Sequence, residues 1–354
     1  MRYFLIFIKL LYKVKIQFKK LNKLDLIIFD DESVFDLKNI TPHFNHFILQ
    51  TRTQNIDKIY FNLEIFIKVI KNYKGNILTA YLTSIIEIIS PKIVITTIDN
   101  SIKFFEISKI FEKKIKFIAI QNAARYEIEI HKYFYKKKIF NFDLTKKFYI
   151  TNFYCFGKYE INNYKKNKIK VKNYKKIGSL RLSNFTKYLL DKKIKIKKNK
   201  YDICLLSEYS VGKDVLYKKK GIDKSFATVA KFVIQYCLKY KLKFCFALKR
   251  SSNTIHNQIE LKFYRDYLTQ KEYQYLIKNS VRNNKKQFSS YKLIAESDVV
   301  VGLGSTLLRD KLAIGGKVLS LNLSKMKFFD FPIKGLSSLN KGGYIEFQRR
   351  LKTI

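Results

Sequence analysis

Tryptophan is absent from the 354 residues, proline occurs 3 times and glycine 12 times. So little proline and glycine excludes collagen-like repeats and Pro/Gly-rich low-complexity chain. The 4 cysteines, Cys155, Cys204, Cys237 and Cys245, form no C-x-x-C pair and have no histidine close by, so neither a disulfide framework nor a zinc site is expected. Three lie in apolar stretches, and all are read as reduced core residues of a cytosolic protein. His43 and His46 stand three apart near Pro42, but no third ligand is close, so no metal site is expected there. His131 and His256 are read as packing or surface residues. No apolar run approaches the roughly 20 residues of a membrane-spanning helix. The first glycine is Gly75 and the first alanine Ala80, so a small-residue signal cleavage site is missing near the N-terminus. Neither a G-x-x-x-x-G-K-[ST] loop nor a Ser/His/Asp elbow occurs.

Lysine is what the chain has in excess. Lys and Arg number 71 against 28 acidic residues, a formal net charge of +43, yet only 10 of the 71 are Arg. Such charge suggests a nucleic-acid or anionic-membrane partner. The basic residues are spread along the chain rather than gathered in a stripe. Lys, Ile, Asn, Phe and Tyr, all with A/T-rich codons, dominate, so a nucleotide-composition bias is the preferred explanation and no specific nucleic acid is expected. Residues 1–20 are basic and apolar-rich. They read either as a segment lying on an anionic membrane face or as a first strand or helix docked on the core.

At 354 residues with 47% hydrophobic content, the chain fits two domains with cores of their own. Short apolar runs alternate with longer amphipathic ones, the βαβ pattern. Strands are expected at 26–29, 47–50, 58–61, 93–97, 117–120 and 148–156, with helices around 63–73, 79–90, 101–113 and 158–167; Pro91 stops the second of these. The charged stretch 191–200 is the linker candidate, dividing an N-terminal domain over 1–190 from a C-terminal one over 201–354. The second series has strands at 202–206, 243–247, 298–301 and 317–321 and helices at 223–240, 257–268, 289–296 and 306–314. These strands are continuous apolar runs, as in parallel sheets buried on both faces. The fold class expected is α/β, two Rossmann-like domains facing a cleft, with ligand at the carboxyl ends of the strands.

Residues 298–321, DVVVGLGSTLLRDKLAIGGKVLSL, read strand, glycine turn, helix, double glycine, strand. Gly302 and Gly304 permit a tight turn, Ser305 is a natural N-cap, and Gly315 a natural stop. Open amides at this helix start would suit a phosphate. Thr306 and Asp310, four apart, share a face, so a hydroxyl can meet phosphates while a carboxylate meets a sugar hydroxyl. A plain capped helix fits the same pattern. Two further strand ends supply Ser207-Glu208 and Lys249-Arg250; an Arg fork beside a Lys point charge suits a diphosphate. In the first half, Asp99 is the candidate general base, with N-cap of the next helix as its alternative. Asn100, Gln121, Asn122 and Arg125 are candidate acceptor-binding residues.

The segments ISPKIVITTIDNS, FIAIQNAAR, FYCFGKYEINNY, KKIGSLRLSNF, YDICLLSEYS and SSYKLIAESDVVVGLGSTLLRDKLAIGGKVLSL, in order, resemble a family of bacterial surface-carbohydrate biosynthesis proteins. That family is similar to GT-B glycosyltransferases and, more distantly, to CDP-glycerol glycerophosphotransferases and UDP-sugar 2-epimerases. The resemblance implies a nucleotide-sugar held by the C-terminal domain and an acceptor by the N-terminal one, with no bound cofactor and no metal. It maps the family's Ser-Thr pair and following acid onto Ser305, Thr306 and Asp310, and its Gln-Asn segment onto Gln121 and Asn122. Ala123 stands where the family usually has glycine. The activity implied is a cytoplasmic glycosyltransferase of lipopolysaccharide or capsule assembly, acting on a glycan or lipid-linked acceptor; peripheral contact at an anionic membrane is the expectation carried by residues 1–20. CDP-alditol phosphotransfer, UDP-sugar epimerisation, and non-catalytic binding of nucleic acid or anionic glycan are its rivals.

Overall fold

The structure, a computed structural model, describes residues 14–52, 56–123, 148–209, 221–250, 254–281, 288–324, 331, 337–339 and 343–354. The chain divides into two compact units, Met1–Asn184 and Phe185–Ile354. The division falls inside a helix, Leu180–Asp191, just ahead of the basic stretch 191–200.

Unit 1 begins with β1 (Lys15–Gln17), β2 (Leu26–Phe29), α1 (Ser33–Leu37), β3 (His46–Leu49), β4 (Lys58–Tyr60), α2 (Leu63–Asn72) and α3 (Ile77–Ile89). It continues with β5 (Ile93–Thr96), α4 (Ile102–Ile110), β6 (Lys116–Ile120), β7 (Tyr149–Cys155), α5 (Lys158–Lys166) and β8 (Lys170–Lys176), and ends within α6 (Leu180–Asp191), whose remainder belongs to unit 2. Six strands form one parallel sheet in the order β3-β2-β5-β6-β7-β8, and β1 pairs separately with β4. Ile27, Ile28 and Phe29 are fully buried, as a strand covered on both faces requires. Phe29, Phe104 and Phe117 stack edge to face at 5.2 and 5.4 Å between ring centres. Asn62, Asn76 and Ser101 cap α2, α3 and α4 by accepting from amides three residues on. Ser90 ends α3 in the left-handed conformation, and Pro91 prevents its continuation.

Unit 2 contains β9 (Tyr201–Leu206), α7 (Ile222–Tyr240), β10 (Phe244–Ala247), α8 (Ile255–Tyr267), α9 (Gln270–Lys278), β11 (Ser280–Val281) and α10 (Ser289–Glu296). After these come β12 (Ser297–Gly302), α11 (Thr306–Ala313), β13 (Lys317–Leu321), β14 (Ser337–Leu339) and α12 (Tyr344–Thr353). Its sheet is parallel, ordered β11-β10-β9-β12-β13-β14. Leu206 lies opposite Ala247 and Val301 opposite Leu205, so the chain leaves β10, β9 and β12 side by side at one edge of the core. The cysteines fill these interiors: Cys204 and Cys245 are adjacent across β9 and β10, and all four are buried and unpaired.

Candidate active site

The turn between β12 and α11 is built around one carboxylate. Glu208, just past the end of β9, accepts the amides of Leu303 at 2.7 Å, Gly304 at 3.0 and 3.1 Å, and Ser305 at 3.1 Å. Three successive N–H groups converging at a helix start make an anion nest. The amides expected to be open are therefore occupied by the protein's own carboxylate. A Cβ on Gly302 would stand 2.7 Å from Glu208 Oε1, so a larger residue here must push the carboxylate aside. Burial pushes the Glu208 carboxyl above its ordinary value, against the pull of the three amides and of the Lys249 charge. Ser305 caps α11 as expected, its Oγ accepting from the Leu307 amide at 3.3 Å.

A second carboxylate, Glu260 on α8, ties the neighbouring strand ends together. It is fully buried, accepts the hydroxyl of Ser207, and accepts the amides of Lys249 at 3.1 Å and Arg250 at 3.2 Å. Ser207 also lies 3.2 Å from the Tyr264 hydroxyl. Thus Ser207 serves as a strut, while Glu208, Lys249 and Arg250 are brought to one edge. Lys249 is exposed, and the buried Nε of Arg250 has no hydrogen-bond partner among the described residues. An unsatisfied buried donor costs about 1–3 kcal/mol, which an anionic ligand would relieve. Asp310 is buried, and its Oδ2 accepts from the Tyr291 hydroxyl at 2.8 Å. Thr306 is half-buried at the first turn of α11.

In unit 1, Asp99 is buried and Asn100 exposed, both in the turn before α4. The cap of α4 is Ser101, so that alternative role does not fall to Asp99. Gln121 is buried and spans two strand ends, donating to Ala123 O at 3.0 Å and accepting from the Phe156 amide at 3.1 Å. Asn122 is half-buried beside it. Ala123 does not have a positive φ, so alanine is not strained there. Arg125 and His131 lie outside the described residues.

Sequence reasoning missed a polar network at the carboxyl ends of β2 and β5. Arg181 grips Asp36 through Nε at 2.9 and 3.0 Å and Nη2 at 2.9 Å. Ser33 accepts the Thr97 amide at 2.9 Å. Asp30, with φ of 86°, accepts from Thr51 at 2.7 Å and Arg52 at 3.0 Å. A non-glycine residue held at such a φ is strained, and strain of this kind concentrates at functional sites. The signal was four acids within residues 30–36 of a chain with only 28. Beside the open edge of β3 lies a cavity of about 510 Å³, lined by His46, Phe47, Lys58, Tyr60 and Tyr81 among others. None of the candidate site residues lines it. Among the described residues, no group of three or more His, Cys, Asp or Glu is placed to hold a metal ion.

Solved structures resemble the whole chain. UDP-GlcNAc 2-epimerase from Methanocaldococcus jannaschii, in complex with UDP-GlcNAc and UDP, superposes with a TM-score of 0.56 at 10% identity, over 94% of this chain and 92% of that one. UDP-N-acetylglucosamine 2-epimerase from Rickettsia bellii gives 0.53 at 14% identity, over 95% and 88%. A glycosyltransferase from Rickettsia africae reaches 0.44 at 11% identity, over 94% and 88%. At these identities the first two likenesses show the fold, a GT-B-like pair of parallel α/β units, and the third carries no argument. No curated protein matches the sequence. The profile of the family described as "putative O-antigen biosynthesis protein" matches residues 139–331, more than half of the chain and most of unit 2. The matched segment contains Glu208, Lys249, Arg250, Glu260 and the whole nest, and by that match the chain belongs to this O-antigen biosynthesis family.

Proposed function

We propose that the protein is a glycosyltransferase of O-antigen assembly, transferring a sugar from a nucleotide-sugar to a glycan or lipid-linked acceptor. The observation that carries the reading is the anion nest at Leu303–Ser305, with Lys249 and the unsatisfied Arg250 Nε at neighbouring strand ends. A diphosphate is a larger, more highly charged anion than a carboxylate, and it would take the amides that Glu208 now holds. Arg250 and Lys249 would neutralise charge on the departing nucleoside diphosphate, the point at which such transfers need stabilisation. Gly302 and Gly304 shape the turn, Ser305 and Thr306 sit where phosphate oxygens would approach, and Glu208, once displaced, is free to accept a donor hydroxyl. Asp99 is the proposed base, with Asn100, Gln121, Asn122 and Arg125 as acceptor-side residues. Membership of the O-antigen biosynthesis family supports a surface-polysaccharide role.

The test is to incubate the purified protein with UDP-, CDP-, GDP- and dTDP-sugars, with and without lipid-linked glycan extracts, and to follow nucleotide release and sugar transfer. Acceptor-dependent release of one nucleoside diphosphate, lost in Arg250→Ala, is expected. Interconversion of the sugar on an intact nucleotide would replace this reading with epimerisation. Release of a nucleoside monophosphate would replace it with alditol phosphotransfer.

A further inference from the structure

One surface of unit 1 is apolar and exposed, with lysines outnumbering acids on the segments that carry it. Helix α2 lies on α3 through Ile65, Val69 and Asn72; the Asn72 side chain donates to Ser84 at 3.2 Å and to Glu87 at 3.1 Å. Its opposite face carries Leu63, Phe66, Ile67 and Ile70, spaced i, i+3, i+4 and i+7, and all four are exposed, Leu63 by 72% and Ile70 by 61%. Phe18, 77% exposed, and Phe61 extend the patch: ring centres are 6.1 Å apart for Phe18–Phe61 and 6.2 Å for Phe61–Phe66. The patch is held rigid. The Phe61 amide donates to Gln17 O at 3.0 Å, and the Asn62 side chain to Lys19 O at 3.1 Å. Lys15, Lys19, Lys20, Lys58, Lys71 and Lys74 are exposed on the same segments, and none is ion-paired among the described residues.

We propose that this face docks on an anionic lipid bilayer, with α2 lying in the interface plane. An amphipathic helix with Leu, Ile and Phe on one face and lysines at its margins is suited to that position. Charge selects the occupant. A second copy would bring six lysines against these, with only Glu64 and Asp57 to offset them. Residues 1–13 of the same chain carry Arg2, Lys9 and Lys13 and no acid, so they offer no complement either. Nucleic acid would satisfy the lysines and leave the apolar side chains in water. Acidic headgroups above an acyl layer satisfy both, and each lysine near such a surface strengthens binding about fivefold.

The chain has no tryptophan, so Phe66→Trp installs a single reporter at a position where an exposed aromatic already stands. Its emission should shift to the blue with phosphatidylglycerol–cardiolipin vesicles and stay unchanged with phosphatidylcholine alone. Ile345→Trp, at a position 82% exposed on α12, should not respond to either. In flotation assays Ile67→Glu with Ile70→Glu should weaken binding by about tenfold or more, and Lys71→Glu with Lys74→Glu should also weaken it. An unchanged emission from the Phe66→Trp protein, on vesicles that still bind it, would overturn the proposal. So would a lipid-free blue shift that grows with protein concentration, which would make the face a self-association surface. Loss of binding only on deletion of residues 2–13 would move docking to the N-terminal segment.

Discussion

Glu208→Gln separates the two claims made for the nest. Gln keeps one carbonyl oxygen, which can still accept from Leu303 and Ser305, the bonds now made by Oε1 at 2.7 and 3.1 Å. Its amide nitrogen would then face the Gly304 N–H, where Oε2 now accepts at 3.0 Å, setting donor against donor. A hydrogen bond to a charged group contributes about 1.5–3 kcal/mol. Relief of carboxylate burial, the leading cause of its raised pKa, offsets part of that loss. The net expectation is about 1–2 kcal/mol of destabilisation near pH 7, or about 2–8 °C in Tm for a unit of this size. The sign with pH follows from the raised value. Protonation of the group adds stability that is fully present below its ordinary 4.5 and is lost as pH rises through the higher folded value. The wild type should therefore gain on the variant as pH falls through that window.

If a diphosphate takes these amides, it must expel a negative charge in the wild type and none in the variant. Glu208→Gln should then bind inorganic diphosphate, or the cognate nucleoside diphosphate, about tenfold more tightly or better, a decade being 1.4 kcal/mol. Isothermal titration measures the ratio, and a ligand at one hundred times its Kd adds about 2.7 kcal/mol of stability for a thermal check. Wild-type affinity should also rise as pH falls through the Glu208 titration, with the variant flat by comparison. Equal affinities for the two proteins at every pH would refute the idea that carboxylate and phosphate share the nest.

Gly302→Ala should displace the Glu208 carboxylate, because the new Cβ would meet its Oε1 at 2.7 Å; overpacking of this kind costs about 1–3 kcal/mol, readable by urea unfolding. Gly316→Ala would overlap the buried Lys311 side chain and break its 2.6 Å bond to Ser297 O, with a loss of about 1–3 kcal/mol that Lys311→Ala in the same protein should partly remove. Asp36→Ala frees Arg181, which is already 44% exposed and can turn to solvent, so the cost should be about 1–2 kcal/mol rather than the larger figure for a fully buried pair. All four thiols are buried, with Cys155 pushed up to about 11 and Cys237 to about 12 by burial, so a disulfide-exchange reagent at pH 8 should find none in the native protein and four in urea.

The alternation of apolar runs and amphipathic stretches was legible because a parallel sheet writes itself as uninterrupted Ile, Val, Leu and Phe. The strands expected at 26–29, 93–97, 202–206 and 298–301 could be read for that reason, and the structure has them at Leu26–Phe29, Ile93–Thr96, Tyr201–Leu206 and Ser297–Gly302. What escaped was short or polar. β8, KVKNYKK, has lysines at most positions and is mostly exposed at a sheet edge, so no apolar run marks it. Helix α9 is mostly polar, and its capping box, Thr269 with Glu272, was its clearest sign. The basic stretch 191–200 drew attention as a linker by charge, yet the division lies seven residues earlier, inside α6, whose Phe185, the first residue of unit 2, packs its ring 5.8 Å from Phe288 of the same unit.

Glu208 was legible as a strand-end candidate, but its hold on the glycine turn was not, for a physical reason. Gly302 and Ser305 announce a turn and a cap through backbone rules that hold locally. Which anion fills the nest depends on a residue 95 positions away, brought there only because β9 pairs with β12. The same holds for Glu260. It was visible as an acid on the buried face of α8, at the spacing of Asn257, Phe263 and Tyr264, but its partners are the amides of Lys249 and Arg250 and the hydroxyl of Ser207. A buried acid on an apolar stripe demands donors, and in an open parallel sheet the nearest unspent donors are amides just beyond the strand ends. Two acids near the end of a sheet thus do different work. Glu260 fixes the loop that carries Arg250, and Glu208 holds the turn that a phosphate would need. Glu260→Gln should therefore weaken nucleotide binding with Lys249 and Arg250 unchanged in sequence, while Glu208→Gln strengthens it. If both substitutions move affinity the same way, the division of labour between the two carboxylates is wrong.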